Sequence, residues 1–244
     1  MKAYRERIYR RYFSSSYGED NPLHGAAYEA RLTALRDHLL RWIPAHRDSR
    51  IVDLGCGIGY AVDMLARQGY RQVEGIDVSE EQVALAQARG LPVRKADAFD
   101  FLAPRREQFD AILALDVIEH FDRDELLRFL DLVAAALKPG GRVIVKTPNA
   151  NAPTAARARF RDLTHELIFT EHSLRTGFAV AGLRTLSVFG ERIRPATTAG
   201  LIRWLLGSVT RLAWRLLLIG ELGREALRIP VEFNLIAVAE KPDR

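Results

Sequence analysis

One segment constrains the fold of this 244-residue chain more than any other. Ile51–Tyr60 reads IVDLGCGIGY, an apolar run that breaks into three glycines, Gly55, Gly57 and Gly59. Val73–Ser79 reads VEGIDVS, a second short apolar run that ends in an acid, Asp77. The order is strand, tight glycine turn, helix, strand, carboxylate. Without a Cβ, glycine lets backbone come close to a ligand. The helix after the turn, Tyr60–Gly69 in the sequence, presents its free N–H groups to the same place. An acid at the end of the next strand, about twenty residues on, can accept both hydroxyls of a ribose. The pattern predicts an α/β sheet with a pocket for an adenosine-containing ligand.

Two features separate this turn from a dinucleotide site. Its glycines run G-x-G-x-G, with Val62 where a third dinucleotide glycine would follow Gly57 and Gly59. Asp53, just before the turn, would repel a pyrophosphate but suit a cation. S-adenosylmethionine has no phosphate and carries a sulfonium and an ammonium, so the residues favour it over NAD. The segment resembles motif I of the class I S-adenosylmethionine-dependent methyltransferases, and further matches follow in order over residues 30–190. Asp77 with Val78 resembles the ribose-binding end of the second strand. Ala96–Asp97–Ala98 resembles the adenine-contacting segment after the third. Leu115–His120, LDVIEH, resembles the stretch after the fourth strand of many small-molecule methyltransferases, and Leu137–Arg142, LKPGGR, the turn before the fifth. The resemblance implies S-adenosylmethionine as cofactor, held by Asp53, Gly55, Gly57, Gly59, Asp77, Val78, Asp97, Ala98 and Leu115.

Strand and helix signals alternate along the chain, which argues for a parallel sheet. Ala26–Ile43 has helical spacing with Leu32, Leu35, Leu39 and Trp42 on one face, and Pro44 ends it. Strands are expected at Ile51–Leu54, up to Asp77, at Val93–Lys95, Asp110–Leu115, Arg142–Thr147, Arg184–Gly190 and Val231–Glu240. Ser79 with Gln82 makes a capping-box pattern, and Asp124–Leu137 and Thr170–Ala181 are further helices, the latter capped by Thr170. In the resembled fold the last two strands form an antiparallel pair at one edge. The expected fold class is α/β: a Rossmann-like, seven-stranded, mostly parallel sheet with an antiparallel edge hairpin, helices on both faces, and a helical insertion between the last two strands. The expected units are an N-terminal arm or lid over 1–25, a cofactor-binding core over 26–192, the insertion over 193–229, and a final strand and tail over 230–244. Tyr4, Tyr9, Tyr12 and Phe13 would suit a lid.

Composition bears on partners. The formal charge is +5, and between Arg192 and Arg228 seven arginines stand against two glutamates. The basic character belongs to the insertion and not to a groove across the core, and no N/D-P-P-Y/F-type tetrapeptide is present, so nucleic acid is not an expected partner. The single cysteine, Cys56, cannot form an internal disulfide, which points to a reducing compartment. It is read as a small side chain packed under the cofactor. MKAYRERIYRRYF has no apolar run behind it, so no signal peptide is expected and the cytoplasm is the expected location. On a helix, Ile202, Leu205, Val209, Leu212, Ala213, Leu216 and Leu217 share a broad face opposite Arg203, Arg211 and Arg215, while Trp204, Trp214 and Leu218 break the pattern. Three readings stay open for 198–223: packing on its own domain, lying in the plane of an anionic membrane, or an oligomer contact. Three arginines, at about 2.5–3.5 kcal/mol each at a bilayer centre, argue against spanning.

Ligands sit at the carboxyl ends of parallel strands, so the residues to weigh for chemistry follow the fourth and fifth. They are Asp116, Glu119 and His120, then Asn149, Asn151, Arg161, Asp162, His165, Glu166 and His172. An alcohol acceptor needs a base for its proton. His165 with Asp162 reads as an acid–base pair on one loop, His120 as a second base, and His172, inside a helix, as structural. Asp116, Glu119, His120 and His165 could converge on a metal, but nothing has the compact spacing of a dedicated zinc site, so no metal is expected. Thr147–Gly182, together with the basic insertion, resembles bacterial methyltransferases of surface-polysaccharide and lipopolysaccharide synthesis and, less closely, ubiquinone-biosynthesis O-methyltransferases. This implies O-methyl transfer to a sugar hydroxyl of a cell-surface glycan or lipid-linked precursor. The alternatives are a quinone-type or other lipophilic acceptor and, more remotely, a non-catalytic membrane scaffold.

Overall fold

The computed structural model describes residues 3–12, 14, 23–192 and 198–243. Strands β1 (Arg50–Leu54), β2 (Gln72–Asp77), β3 (Val93–Lys95), β4 (Phe109–Leu115), β5 (Leu137–Pro148), β6 (Arg184–Gly190) and β7 (Asn234–Glu240) form one sheet in the order β3-β2-β1-β4-β5-β7-β6. β1 pairs in parallel with β2 and β4, β2 with β3, and β4 with β5, whereas β7 runs antiparallel to β5 and β6. Helices α1 (Ala3–Tyr9), α2 (Gly25–Leu39), α3 (Tyr60–Arg67), α4 (Glu80–Ala88), α5 (Ala98–Leu102), α6 (Arg123–Ala136), α7 (Ala155–Arg161), α8 (Glu171–Val180) and α9 (Thr198–Leu222) lie along the connections.

Alternation across the pleat builds two apolar layers. On β4, Ala111 and Leu113 join Tyr28, Leu32, Val62, Leu65 and Val83 of α2, α3 and α4. Ile112 and Ala114 join Leu102, Phe129, Val133, Leu174 and Phe178 of α5, α6 and α8. A strand covered on both faces reads as a continuous apolar run, which is why FDAILAL shows little alternation. Between β1 and β4 the chain crosses from one half of the sheet to the other. Their carboxyl ends flank the crevice that such a switch point leaves.

Capping refines the helix bounds. Asp122 accepts from the Glu125 N–H at 2.9 Å and Glu125 accepts from the Asp122 N–H at 2.9 Å, so α6 opens with a complete capping box. Thr170 and Ser173 do the same for α8, as the Thr170 cap implied. At α4 only half of the expected box forms: Ser79 Oγ accepts from the Gln82 N–H at 3.4 Å, while Gln82 Oε1 lies against Gly57. The N-terminal arm is partly helical, as α1. Phe13 of the aromatic set, and 193–197 of the insertion, lie outside the described residues.

The insertion docks by the side opposite its apolar stripe. Trp214 Nε1 donates to the Asn151 carbonyl at 2.8 Å and an Arg215 Nη to the Ile229 carbonyl at 3.3 Å. Ile202, Leu205, Val209, Leu212, Leu216 and Leu217 are left 51–67 % exposed. Trp214 and Leu218 broke the amphipathic pattern because their side meets the domain. Among the described residues, no helix is long and apolar enough to cross a membrane.

Candidate active site

The turn after β1 enters the crevice with all three glycines at positive φ: Gly55 at 67°, Gly57 at 56° and Gly59 at 85°. A Cβ on Gly55 would stand 2.6 Å from Val117 Cγ2, so the turn is closed tightly against the loop after β4. Asp77 ties the turn to the end of β2. Its Oδ2 accepts from the Gly57 N–H and its Oδ1 from the Ser79 N–H, each at 2.8 Å. Burial raises the Asp77 pKa, and the backbone donors oppose the rise without cancelling it.

Asp53 is 2 % exposed, and its Oδ1 has no hydrogen-bond partner among the described residues. Burial first, then the charge of Asp77, push its pKa up to about 8 against the pull of Lys146. It borders a cavity of about 780 Å³, within the roughly 300–1,000 Å³ of small-molecule sites. Gly55, Gly57, Asp77, Val78, Asp97, Ala98 and Leu115 line the same cavity. Asp97 caps α5, accepting from the Phe99 N–H at 2.8 Å. Gly59, expected among the cofactor contacts, is not on the wall. A Cβ there would meet Leu91 Cδ1 at 2.7 Å, so its task is to start α3 close against α4 and β3. Cys56 is buried, with its sulfur 2.8 Å from where a Cβ on Gly75 would sit, and burial pushes the thiol pKa well up. It packs as a small side chain.

Two loops build the opposite wall. After β4, Asp116 takes φ 60° and the chain turns through Ile118–His120. After α7 comes the loop Asp162–Phe169. The Glu119 carbonyl accepts from the Glu166 and Leu167 N–H groups at 2.8 and 2.9 Å, which clamps the loops together. The His120 and His165 rings thereby meet edge to face with centroids 4.9 Å apart. Asp162 Oδ1 accepts from the Thr164 N–H at 2.8 Å and from its hydroxyl at 2.6 Å, and Oδ2 accepts from the Tyr12 hydroxyl at 2.6 Å. Because the Thr164 proton is given to Asp162, Thr164 Oγ1 accepts from His120 Nδ1 at 2.8 Å. His165 Nδ1 donates to the Ala158 carbonyl at 2.9 Å. With Nδ1 engaged on both rings, Nε2 is the nitrogen each can offer a ligand. Burial, and then the neighbouring His165, push His120 down to about 4, so it is neutral at neutral pH. Glu119 is 1 % exposed and accepts from the Thr147 hydroxyl at 3.1 Å; burial pushes its carboxyl pKa well up.

The expected His165–Asp162 pair is a long contact, 3.9 Å from Nε2 to Oδ2, since the short bonds of Asp162 go to Thr164 and Tyr12. Asp116 is paired with buried Lys146 at 2.6 Å. Asn149 donates to the Pro230 and Glu232 carbonyls at 2.9 and 2.8 Å, and Asn151 to Glu171 at 2.7 Å, so both hold loops. Arg161 is on the cavity wall, and His172 is exposed on α8. α1 crosses this wall. Arg5, 3 % exposed, pairs with Glu125 at 2.8 Å and Glu166 at 3.0 Å, and Tyr9 and Tyr12 line the cavity. Thr164, Arg5 and Lys146 were not singled out from the sequence. The Asp-x-Thr spacing carries an Asx-turn signal that points to Thr164. Nothing local marks Arg5, whose partners are distant in sequence.

A family model described as a methyltransferase domain matches residues 26–188. A ubiquinone biosynthesis O-methyltransferase of Parvibaculum lavamentivorans is 31 % identical over 204 residues, covering 74 % of this chain and 79 % of that protein. One from Xylella fastidiosa is 34 % identical over 139 residues, covering 54 % of this chain and 53 % of that protein. The chain spans about half the length of several of the curated relatives it matches. The structure of an S-adenosylmethionine-dependent methyltransferase from Archaeoglobus fulgidus has a TM-score of 0.64 at 19 % identity, covering 98 % of this chain and 100 % of that one, which speaks for the fold. The relatives fit the quinone alternative raised by the sequence and not its surface-polysaccharide reading.

Proposed function

The chain belongs to the S-adenosylmethionine-dependent methyltransferase domain family, with S-adenosylmethionine as cofactor, and from that membership we propose that it methylates a phenolic hydroxyl of a lipophilic, quinone-type acceptor. The similarity to a ubiquinone biosynthesis O-methyltransferase over 74 % of the chain carries the acceptor class. A second feature supports it: Arg203 of α9 and Phe233 share the cavity wall with the glycine turn, so a helix with an exposed apolar face flanks the site. The same face supports peripheral contact of 198–223 with an anionic membrane that stores such an acceptor. The glycan reading, the main expectation from the sequence, has no comparable support.

The residues present fit the cofactor. Asp53 offers an orphaned buried oxygen to its ammonium group, and the Gly57 backbone is bare enough for close approach. An ionised carboxylate has about four acceptor positions, so Asp77 keeps some for the ribose hydroxyls beside its backbone donors. Asp97 and Ala98 are assigned to the adenine, and Leu115 to the floor of the site. The bound cofactor supplies an electrophilic methyl group; the chain must position the acceptor and remove its proton. His120 is pushed too low to be an effective base, so His165 is assigned that role, with Asp162 and Thr164 positioning the pair.

With labelled S-adenosylmethionine, the protein is expected to label a prenylated phenol and to leave lipid-linked sugars unlabelled. Label in the sugars alone would overturn the acceptor class and leave the family intact.

A further inference from the structure

We propose that Arg50, Arg94 and Arg105 form a binding site for a small dianionic oxyanion, inorganic phosphate or the phosphate of a phosphomonoester, at the amino-terminal edge of the sheet. The site lies at the end of the strands opposite the cofactor crevice, and it stands whichever acceptor the protein methylates. Strand register builds it. Val52 and Ile76 belong to the apolar layer under α5 and α6. Arg50 is two residues from Val52, Glu74 pairs with Val52 and Arg94 with Ile76, so alternation turns all three to that side. Arg105 reaches the same side from just beyond the end of α5. Three separate runs of chain supply the arginines, so the cluster has no signature in the sequence.

Two aromatic rings hold the guanidinium groups. Those of Arg94 and Arg105 lie 4.7 and 3.6 Å from the centre of the Phe101 ring, and that of Arg50 lies 5.2 Å from the centre of Phe109. The two rings are buried, 6.0 Å apart. A guanidinium stacked on a ring keeps its N–H edge for a ligand, and its restricted motion reduces the entropy lost on binding. An Arg105 Nη also donates to the Phe101 carbonyl, which fixes the group over the ring.

One carboxylate faces these three charges. Glu74 is paired with Arg94 at 3.1 Å and stands 3.9 Å from Arg50, while Arg105 has no ion-pair partner among the described residues. Asp110, at the start of β4, is taken up by Lys138 at 2.8 Å and by the Arg50 backbone N–H at 2.7 Å. Three guanidinium groups against one carboxylate leave two positive charges, the complement of a phosphate dianion. The repulsion is felt at Arg105: burial first, and then the charge of Arg94, lower its pKa, and Glu74 does not offset them. An oxyanion among the three groups relieves that repulsion. It also gains charge-assisted bonds from planar N–H forks, which suit phosphate oxygens.

The full chain in phosphate-free buffer is titrated by calorimetry with inorganic phosphate and, separately, with glycerol 2-phosphate. Ionic strength is held constant with chloride, so that screening alone gives no signal. One equivalent is expected to bind, and the unfolding temperature is expected to rise with ligand concentration. Tighter binding of glycerol 2-phosphate assigns the ligand to the phosphomonoesters; tighter binding of inorganic phosphate assigns it to the free ion. Arg94→Gln and Arg105→Gln are each expected to weaken the binding about tenfold or more. S-adenosylmethionine affinity in phosphate-free buffer is expected to stay at the wild-type value and reports an intact fold. Arg94 is exposed on the edge strand β3, so Arg94→Gln carries the test if the other variant misfolds. No saturable binding at constant ionic strength, or wild-type phosphate affinity in Arg94→Gln, overturns the site.

Discussion

Asp53 and Asp77 are two buried acids at the ends of neighbouring strands, and they differ in what satisfies them. Asp77 has backbone donors, whereas Asp53 has an oxygen without a partner. Losing the Asp77 carboxylate removes the tether of the turn and, on the proposed assignment, the ribose acceptor, so Asp77→Ala is expected to weaken S-adenosylmethionine binding at least about tenfold by calorimetry. Unchanged affinity would sink the ribose assignment. Asp53, pushed up to about 8, is protonated in the free protein near neutrality. A bound ammonium favours its ionised form, so binding releases a proton and affinity climbs as pH rises toward 8. Asp53→Asn should flatten that climb; a variant that keeps it would show another group to be responsible. For stability the sign is opposite. Between the ordinary carboxylate range and 8 the unfolded chain has released this proton and the folded one has not, so the cofactor-free protein loses stability as pH rises. His120, pushed down to about 4, acts at the acid side: below its ordinary value the unfolded chain binds the proton first, and stability falls with falling pH. The place of both acids on the cavity wall was legible in the sequence because it depends on position along one strand–turn–helix–strand run. Gly59 packs against Leu91 instead of lining the cavity, because the glycine pattern gives the turn but not which glycine faces the ligand. Thr164 was passed over because its value lies in linking His120 to Asp162 across two loops.

At the scale of elements, legibility followed locality. The bounds of β3 and β6 were readable because each is an extended run bracketed by turn residues. The short helices α1, α5 and α7 were not, because five to seven residues are too few to be helical on propensity alone. α1 is held from outside, through Arg5 between Glu125 and Glu166 and Tyr12 on Asp162. Arg5→Ala should therefore speed hydrogen exchange over residues 3–12 while leaving the sheet protected; unchanged exchange there would mean that other contacts hold the arm. α9 shows the limit of periodicity. The stripe of leucines was visible in the sequence, but a stripe does not say whether it meets the core or the exterior, and here it faces out. The membrane test must therefore target Leu205, Val209 and Leu212, since Arg211 and Arg215 lie on the docked side. Changing those three to Asp is expected to abolish co-sedimentation with anionic liposomes at low salt. A wild-type protein that stays in the supernatant would remove the membrane contact, and a concentration-dependent dimer lost in the same variant would assign the face to a second copy.

Over the whole molecule, the switch point between β1 and β4 makes one cavity from parts that the sequence holds far apart. Its donor half is written along residues 51–98 and was legible. The half proposed to take the acceptor combines α1, the turn after β4, the loop after α7 and one end of α9, and only tertiary structure brings these together. That division explains why the cofactor was readable while the acceptor had to be inferred from relatives and from the faces of helices. The most direct test joins the two halves: the rate of methyl transfer from labelled S-adenosylmethionine to a prenylated phenol, by wild type and by His165→Ala, with cofactor affinity measured alongside. The expected result is transfer by the wild type and a turnover about 100-fold or more lower in the variant, with cofactor affinity unchanged. Wild-type turnover in His165→Ala, or no transfer to the phenol by the wild type, would contradict it.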